Sequence, residues 1–138
     1  MNDTAQERKS ILVVEDEMPL LKAVQAKLER SGFDVVTARS VDQAIGYIDD
    51  GVHVDAVWLD HYLLGKQSGI DLVAHCKSVG SSTEQIPFFL ISNTASSDKV
   101  QTYLKLGVDR YYVKAQVRLD TIIADIKDEL GIAPESRQ

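Results

Sequence analysis

The stretch VDAVWLD, residues 54–60, is an apolar run that ends in an aspartate. A short run of this kind is typical of a buried strand in a parallel sheet. The charge of a carboxylate at the end of such a strand must be neutralised by a metal ion, a cation or hydrogen bonds. Asp60 is therefore the first candidate functional residue of this chain.

Polar residues close three further apolar runs of the sequence. In chain order they are the acidic pair Glu15-Asp16, the hydroxyl of Ser92 and the amine of Lys114. Each has an ordinary structural explanation on its own, because an acidic pair can cap a helix near its positive end and serine is common in turns. Their occurrence at equivalent strand ends, together with Asp60, indicates one shared site.

Apolar runs alternate with segments of helical periodicity along the chain. The runs predict strands at residues 11–14, 34–38, 56–59, 88–91 and 111–113. Continuous apolar strands that alternate with amphipathic helices indicate an α/β fold, with a doubly wound five-stranded parallel sheet and helices on both faces. In such folds ligands bind beyond the carboxyl ends of the strands, which is where the polar residues fall.

Local signals place two of the helices. Ser40 can cap the second helix through its side-chain oxygen. The fourth helix is predicted to present Val100, Tyr103 and Leu104 on its apolar face and to stop at Gly107.

The composition fits one domain without a membrane anchor. We expect a domain at residues 10–131, with flexible segments at residues 1–9 and 132–138. No apolar run reaches the length of a transmembrane helix, and the N-terminal segment lacks the apolar core of a signal peptide, so we expect a cytoplasmic location. The net charge of −6 argues against a nucleic-acid surface. Cys76 is the only cysteine, which excludes an intramolecular disulfide, and it is predicted to be buried.

The polar residues at the strand ends suit phosphoryl chemistry. Converging carboxylates repel each other unless a cation lies between them, and Mg²⁺ prefers oxygen ligands and often binds a phosphate as well. The amine of Lys114 can supply a point charge to a phosphoryl oxygen. Asp60 can then act as a nucleophile that takes up a phosphoryl group.

Four segments resemble response-regulator receiver domains, the phosphorylated modules of two-component signalling. They are ILVVEDE at 11–17, WLD at 58–60, LIS at 90–92 and LGVDRYYVK at 106–114. The resemblance extends over nearly the whole chain. It implies a flavodoxin-like sheet with the strand order 2-1-3-4-5.

The resemblance also implies a ligand set for Mg²⁺. Asp60 is the implied acceptor of a phosphoryl group from a sensor histidine kinase or a phosphotransfer protein. Asp16, Asp60 and the backbone carbonyl of Tyr62 are implied metal ligands, and Glu15 is implied to assist through water.

Further implied roles concern the switch and its output. Lys114 and Ser92 are implied to contact the phosphoryl oxygens, and Tyr111 is the implied aromatic switch, which moves inward as Ser92 moves toward the phosphate. The implied output surface is formed by the helix that begins near Ser97, the strand at Tyr111 and the last helix. A downstream protein is the expected partner, and nucleic acid and membrane are not. We expect a monomer or a phosphorylation-dependent homodimer. The chemistry expected of the chain is limited to its own Mg²⁺-dependent phosphoryl transfer and dephosphorylation.

The chain departs from the pattern of the resembled family at several positions. Glu15 replaces the commoner aspartate, and Leu64 stands where proline is usual. The loop at residues 65–69 is one residue longer than the common form in the family. Ala115 replaces the proline that normally follows the lysine. A cis bond before a residue other than proline costs about 2.5–4 kcal/mol, so we predict that the Lys114–Ala115 peptide is trans.

Two rival readings of the sequence each lack a feature that they require. An aspartyl phosphatase of the haloacid dehalogenase type needs a second aspartate where this chain has Tyr62. A nucleotide- or flavin-binding module needs a glycine-rich turn where this chain has EDEMP at 15–19. The remaining alternatives are a receiver-like interaction module that is never phosphorylated and a receiver fragment of a longer regulator; the sequence favours a stand-alone receiver.

Overall fold

The computed structural model describes residues 8–60, 68–78, 80–92 and 97–132. The strands are β1 (Ser10–Val14), β2 (Asp34–Ala38), β3 (Ala56–Asp60), β4 (Phe88–Ser92) and β5 (Arg110–Val113). The helices are α1 (Met18–Arg30), α2 (Val41–Asp49), α3 (Gly69–Cys76), α4 (Ser97–Leu106) and α5 (Leu119–Glu129), and a single 3₁₀ turn (Lys114–Gln116) follows β5. No helix within the described ranges is long and apolar enough to cross a membrane.

The strands form one parallel sheet in the order β2-β1-β3-β4-β5. The predicted α/β fold and strand order are therefore confirmed. Two strands are one residue longer at their carboxyl ends than predicted, because Asp60 pairs with Ile91 and Ser92 pairs with Val113. Asp60 and Ser92 are thus the last residues of their strands and are held by the ladder, rather than lying in the loops that follow.

The sheet separates two apolar layers. Alternate strand residues point to opposite faces, so Leu59 packs with α2, α3 and α4, whereas Trp58 packs with α1 and α5. By the same alternation, Asp60 continues the row of Trp58 on the α1 and α5 side. Ser92 continues the row of Leu90 on the other side. The strand pattern thereby decides to which side of the sheet edge each polar side chain points.

Most of the local predictions agree with the structure. The Ser40 side chain accepts a hydrogen bond of 3.1 Å from the backbone N–H of Gln43, so its role as the cap of α2 is confirmed. Cys76 is buried, as predicted.

The prediction for Leu104 is wrong, because its side chain is 42% exposed. Tyr103 occupies the buried face of α4, and consecutive helical residues do not share a face, so Leu104 is turned outward. The sequence also offers Ser96 or Ser97 as the cap of α4, and the side chains of both residues lie outside the described part of the structure. The domain limits at residues 10 and 131 stay a prediction.

The cap of α2 can be tested by substitution. We expect Ser40→Ala to lower the free energy of unfolding by about 1 kcal/mol, because the Gln43 N–H loses its acceptor. Urea denaturation measures the change. Ser40→Asp restores an acceptor oxygen and should unfold close to the wild-type midpoint; an alanine variant as stable as the wild type would show that the cap contributes nothing.

Candidate functional site

Three carboxylates converge at the carboxyl edge of the sheet. One oxygen each of Glu15, Asp16 and Asp60 lies within 4.8 Å of the others. Glu15 and Asp60 are each only 2% exposed, whereas Asp16 is half-buried. The edge therefore combines two buried acidic groups with one that solvent reaches.

Lys114 supplies a positive charge to this cluster. Its Nζ lies 3.3 Å from Asp60 Oδ2 and 3.8 Å from Glu15 Oε1. The lysine is the first residue after β5, and its peptide bond to Ala115 is trans, so that prediction is confirmed. A buried carboxylate is tolerated only when it is paired, and Lys114 provides the pairing for Asp60.

Glu15 has an unusual proton affinity. Burial raises the pKa of its carboxyl from 4.5 to about 8, with further contributions from a hydrogen bond to Asp60 and the charge of Asp60. The backbone N–H of Glu17, which donates a 3.1 Å hydrogen bond to Glu15 Oε2, and the charge of Lys114 act in the opposite direction. Without a bound cation, burial and the neighbouring Asp60 therefore favour the protonated form of Glu15.

Ser92 and Tyr111 lie on the other side of the same edge. Ser92 is 3% exposed at the end of β4. Tyr111 pairs with Leu90 and packs, half-buried, against the layer of α2, α3 and α4. The side-chain direction of Ser92 and the packing of Tyr111 place both residues toward this layer. Tyr62, the remaining predicted site residue, lies outside the described residues.

A contact that sequence analysis missed holds the acidic segment in place. Arg39 Nη2 donates a 2.9 Å hydrogen bond to the backbone carbonyl of Asp16, and the N–H of Glu15 donates to Ala38 O at 3.0 Å. The end of β2 thereby fixes the turn that presents Glu15 and Asp16. No local signal at Arg39 could have identified this role, because its partner is 23 residues away.

A small apolar cavity adjoins the charged cluster. It has a volume of about 260 Å³, and Glu15 and Lys114 form its polar boundary. The other lining residues are apolar: Leu20, Val24, Trp58, Ile91, Val117, Leu119 and Ile122. Trp58 is the only tryptophan of the chain, so its fluorescence should report on changes at this boundary.

The donor set fits a hard divalent cation. All three acidic side chains offer carboxylate oxygens, the ligands that Mg²⁺ and Mn²⁺ prefer. A divalent ion would also offset the excess of three carboxylates over one amine. The geometry therefore passes the test for a metal site, in agreement with the acidic pattern at the strand ends.

Comparisons with known proteins agree with the fold and identify the family. The family model for the response regulator receiver domain matches residues 11–127. The chain therefore belongs to the response regulator receiver domain family. As a member of this family it is a receiver domain of the kind found in the response regulators of two-component signalling systems.

Individual relatives give further detail. The transcriptional regulatory protein DltR of Streptococcus agalactiae (serotype III, strain NEM316) is 36% identical over 117 residues, which cover 85% of this chain and 50% of DltR. The crystal structure of the phosphorylated cyanobacterial phytochrome response regulator RcpA superposes with a TM-score of 0.74 at 24% identity, covering 89% of this chain and 91% of RcpA. The Mn²⁺-bound form of response regulator Rcp1 superposes with a TM-score of 0.75 at 21% identity, covering 94% of this chain and 99% of Rcp1.

These relatives differ in length from the chain. The chain spans about half the length of the curated relatives that it matches. It covers nearly all of the RcpA and Rcp1 chains, and the TM-scores show that the fold is shared, whereas the identities lie below 25%.

The pKa of Glu15 predicts a pH dependence of stability. In EDTA we expect the free energy of unfolding to fall as the pH rises from about 4.5 to about 8, because in this window the folded state retains a proton that the unfolded chain releases. The contribution of Glu15 to the free energy of unfolding is fully present below pH 4.5 and has been lost once the pH exceeds about 8. Its size is on the order of a few kcal/mol.

Substitution of Glu15 isolates this contribution. Glu15→Gln cannot ionise and should flatten the pH profile relative to the wild type. Urea denaturation at several pH values gives the difference, and Glu29→Gln, on an exposed part of α1, is the matched control. Parallel profiles for Glu15→Gln and the wild type would rule out a raised pKa at Glu15.

Proposed function

We propose that this chain is a phosphorylation-dependent switch in which Asp60 accepts a phosphoryl group from the phosphohistidine of a sensor kinase or a phosphotransfer protein. The observation that carries the proposal is the 3.3 Å contact between Lys114 Nζ and Asp60 Oδ2 beside the acidic cluster. The pairing holds a buried carboxylate ready beside a cation that can also bind a phosphoryl oxygen. Membership of the receiver family and the similarity to phosphorylated RcpA support the same reaction.

The transfer exchanges one bond to phosphorus for another. A carboxylate oxygen of Asp60 forms the new O–P bond as the P–N bond to the donor imidazole breaks, and the electron pair of that bond stays on the imidazole nitrogen. Lys114 orients Asp60 before transfer and contacts a phosphoryl oxygen afterwards. The hydroxyl of Ser92 donates to a further phosphoryl oxygen. Hydrolysis of the acyl phosphate by water returns Asp60 to its starting state.

Mg²⁺ is the cofactor that we propose for this site. Glu15, Asp16, Asp60 and the backbone carbonyl of Tyr62 would hold it, with Glu15 acting through water. When bound, the ion neutralises charge on the phosphoryl oxygens and the carboxylates. The all-oxygen donor set of the described residues supports this choice, and the Mn²⁺-bound form of Rcp1 shows a divalent ion in a protein of the same fold.

The output is proposed to pass through the surface formed by α4, β5 and α5. Ser92 and Tyr111 would act as the coupled switch beneath it. The face carries the exposed side chain of Leu104. Arg110 lies within 3.5–3.7 Å of three α5 carboxylates, those of Asp125, Asp128 and Glu129. An exposed apolar side chain beside a network of charges suits contact with a downstream protein.

The assembly and the context of the switch are also proposals. We propose that the chain acts in the cytoplasm, as a monomer or as a homodimer that forms on phosphorylation, and that neither nucleic acid nor membrane is its direct partner. The match to only half of each curated relative supports a second candidate, in which this chain is the receiver portion of a longer regulator. The chemistry at Asp60 is the same in both cases.

The acceptor residue can be identified by intact-mass spectrometry after incubation with acetyl phosphate and Mg²⁺. We expect the wild type to gain the mass of one phosphoryl group and Asp60→Asn to gain none, because an amide replaces the nucleophilic carboxylate. EDTA should abolish the gain as well. Asp42→Asn, at an exposed position of α2, is the matched control and should be labelled normally. Labelling of Asp60→Asn, for instance at His61, would contradict the assignment of Asp60 as the phosphoryl acceptor.

The role of Lys114 predicts a kinetic defect. We expect Lys114→Ala to slow phosphorylation by acetyl phosphate about 10²-fold, as the loss of one preorganised charge in an active site typically does. Lys105→Ala, at an exposed position of α4, should leave the rate unchanged. A time course of the phosphorylated fraction measures both. An unaltered rate in Lys114→Ala would exclude a contact between Lys114 and the transferred group.

A further inference from the structure

Tyr103 is a buried polar residue for which the proposed switch has no role. It is the largest fully buried side chain of the described residues, with 1% of its surface exposed. It lies on α4 and packs into the apolar layer formed with α2 and α3. A phenol in such a place contributes packing through its ring, and its hydroxyl needs a polar environment. The direction of the hydroxyl therefore decides what the residue can do.

The hydroxyl is directed at the first residue of α3. A methyl group built on Gly69 would lie 2.5 Å from the Tyr103 hydroxyl oxygen and 3.3 Å from Leu59 Cδ2. The first distance is too short for any non-bonded carbon–oxygen contact, so Tyr103 occupies the space that a side chain at position 69 would need. Gly69 is required here for close approach, not for an unusual backbone conformation.

The same hydroxyl lies in the electric field of Asp60. Burial raises the pKa of Tyr103, and the negative charges of Asp60 and Asp71 raise it further. Asp71 also accepts a 2.8 Å hydrogen bond from the backbone N–H of Ser68, at the start of α3. Tyr103 therefore connects three elements: α4, which carries it, the first turn of α3 at Gly69, and the end of β3, where Leu59 directly precedes Asp60.

We propose that Tyr103 is a positioning residue that couples the position of α4 to the charge carried at residue 60. Phosphorylation replaces one negative charge with about two and adds strong acceptor oxygens. In a surrounding of low dielectric constant, a nearby O–H dipole responds strongly to such a change. Rotation about the C–O bond can reorient the hydroxyl hydrogen, but the ring is rigid and closely packed, so the hydroxyl oxygen can move only if the ring and the helix backbone move with it.

The position of Tyr103 in α4 connects this movement to the surface. Its neighbour Leu104 is exposed on the proposed output face. A displacement of the backbone at residue 103 therefore also displaces the side chain that a partner would contact. This route passes through α3 and α4, and it is separate from the proposed coupling of Ser92 to Tyr111 through β4 and β5.

The coupling can be measured without phosphorylation. In the wild-type background, removal of the charge by Asp60→Asn should shift the backbone amide resonances of α4. In Tyr103→Phe these shifts should shrink by roughly half or more, because phenylalanine lacks the O–H dipole that responds to the charge. Tyr47→Phe is the matched control, because it removes a hydroxyl that contacts only the exposed Gln43 side chain among the described residues. A full α4 response in Tyr103→Phe would overturn the proposal.

A second arm tests the contact itself. Gly69→Ala should lower the urea midpoint in the wild type and lower it much less in Tyr103→Phe, where the colliding oxygen is absent. Gly46→Ala is the control, because a methyl group there meets no atom within 4 Å and should act alike in both backgrounds. Gly69→Ala also displaces the hydroxyl without removing it, and it should weaken the α4 response to Asp60→Asn. Equal destabilisation by Gly69→Ala in both backgrounds would contradict the contact.

The link to signalling rests on the proposed function, and a third arm separates the two. Beryllofluoride with Mg²⁺ should shift the α4 amides of the wild type more than those of Tyr103→Phe, while acetyl phosphate labels Asp60 in both proteins. Absence of labelling in the wild type would refute the proposed function and leave the Asp60→Asn arm to decide the role of Tyr103. Labelling with an undiminished α4 response in Tyr103→Phe would refute the role of Tyr103 alone.

Discussion

The ion pair between Lys114 and Asp60 is the interaction on which the site depends. It joins residues 54 positions apart, at the ends of β5 and β3, and β4 lies between these strands in the sheet. The pair can therefore form only when the sheet is complete on this side. Asp60 is only 2% exposed, so burial imposes a desolvation cost on its carboxylate. The ion pair with Lys114 Nζ, at 3.3 Å, offsets much of that cost.

The pair leaves an excess of negative charge that explains the chemistry of the edge. Glu15, Asp16 and Asp60 together can carry three negative charges, whereas Lys114 supplies one positive charge. Without a metal ion the excess is reduced by a proton on Glu15, whose pKa is raised to about 8. A divalent ion does the same with oxygen ligands that are already assembled. The site is thus arranged so that cations and phosphoryl groups change its balance of charge, as a switch requires.

Much of the fold and of the site could be predicted from the sequence, because both depend on strand ends. An apolar run that stops at a polar residue identifies where a buried strand ends, and parallel strands bring these ends to one edge. The sequence therefore predicts Asp60, Ser92 and Lys114 at matching strand ends, and in the structure they lie at the ends of β3, β4 and β5. The trans peptide at Ala115 followed from the energetics of the peptide bond alone.

The features that the sequence did not reveal depend on tertiary contacts. The exposure of Leu104 depends on which side of α4 meets the sheet, and periodicity places that side only to within about one residue. The contact of Arg39 with Asp16 joins residues of different elements that carry no shared local signal. The raised pKa of Glu15 requires burial beside Asp60, which follows from the packing of β1 against β3.

The proposed roles of the site residues all depend on a single chemical event, the phosphorylation of Asp60. The most direct test is to phosphorylate the protein with acetyl phosphate and Mg²⁺, reduce the acyl phosphate with borohydride, and locate the reduced residue by peptide mass spectrometry. Borohydride converts an aspartyl phosphate to homoserine and leaves a free carboxylate unchanged. We expect homoserine at position 60 and nowhere else. Reduction at another aspartate or glutamate, or phosphate that survives borohydride on a histidine or a hydroxyl, would contradict it.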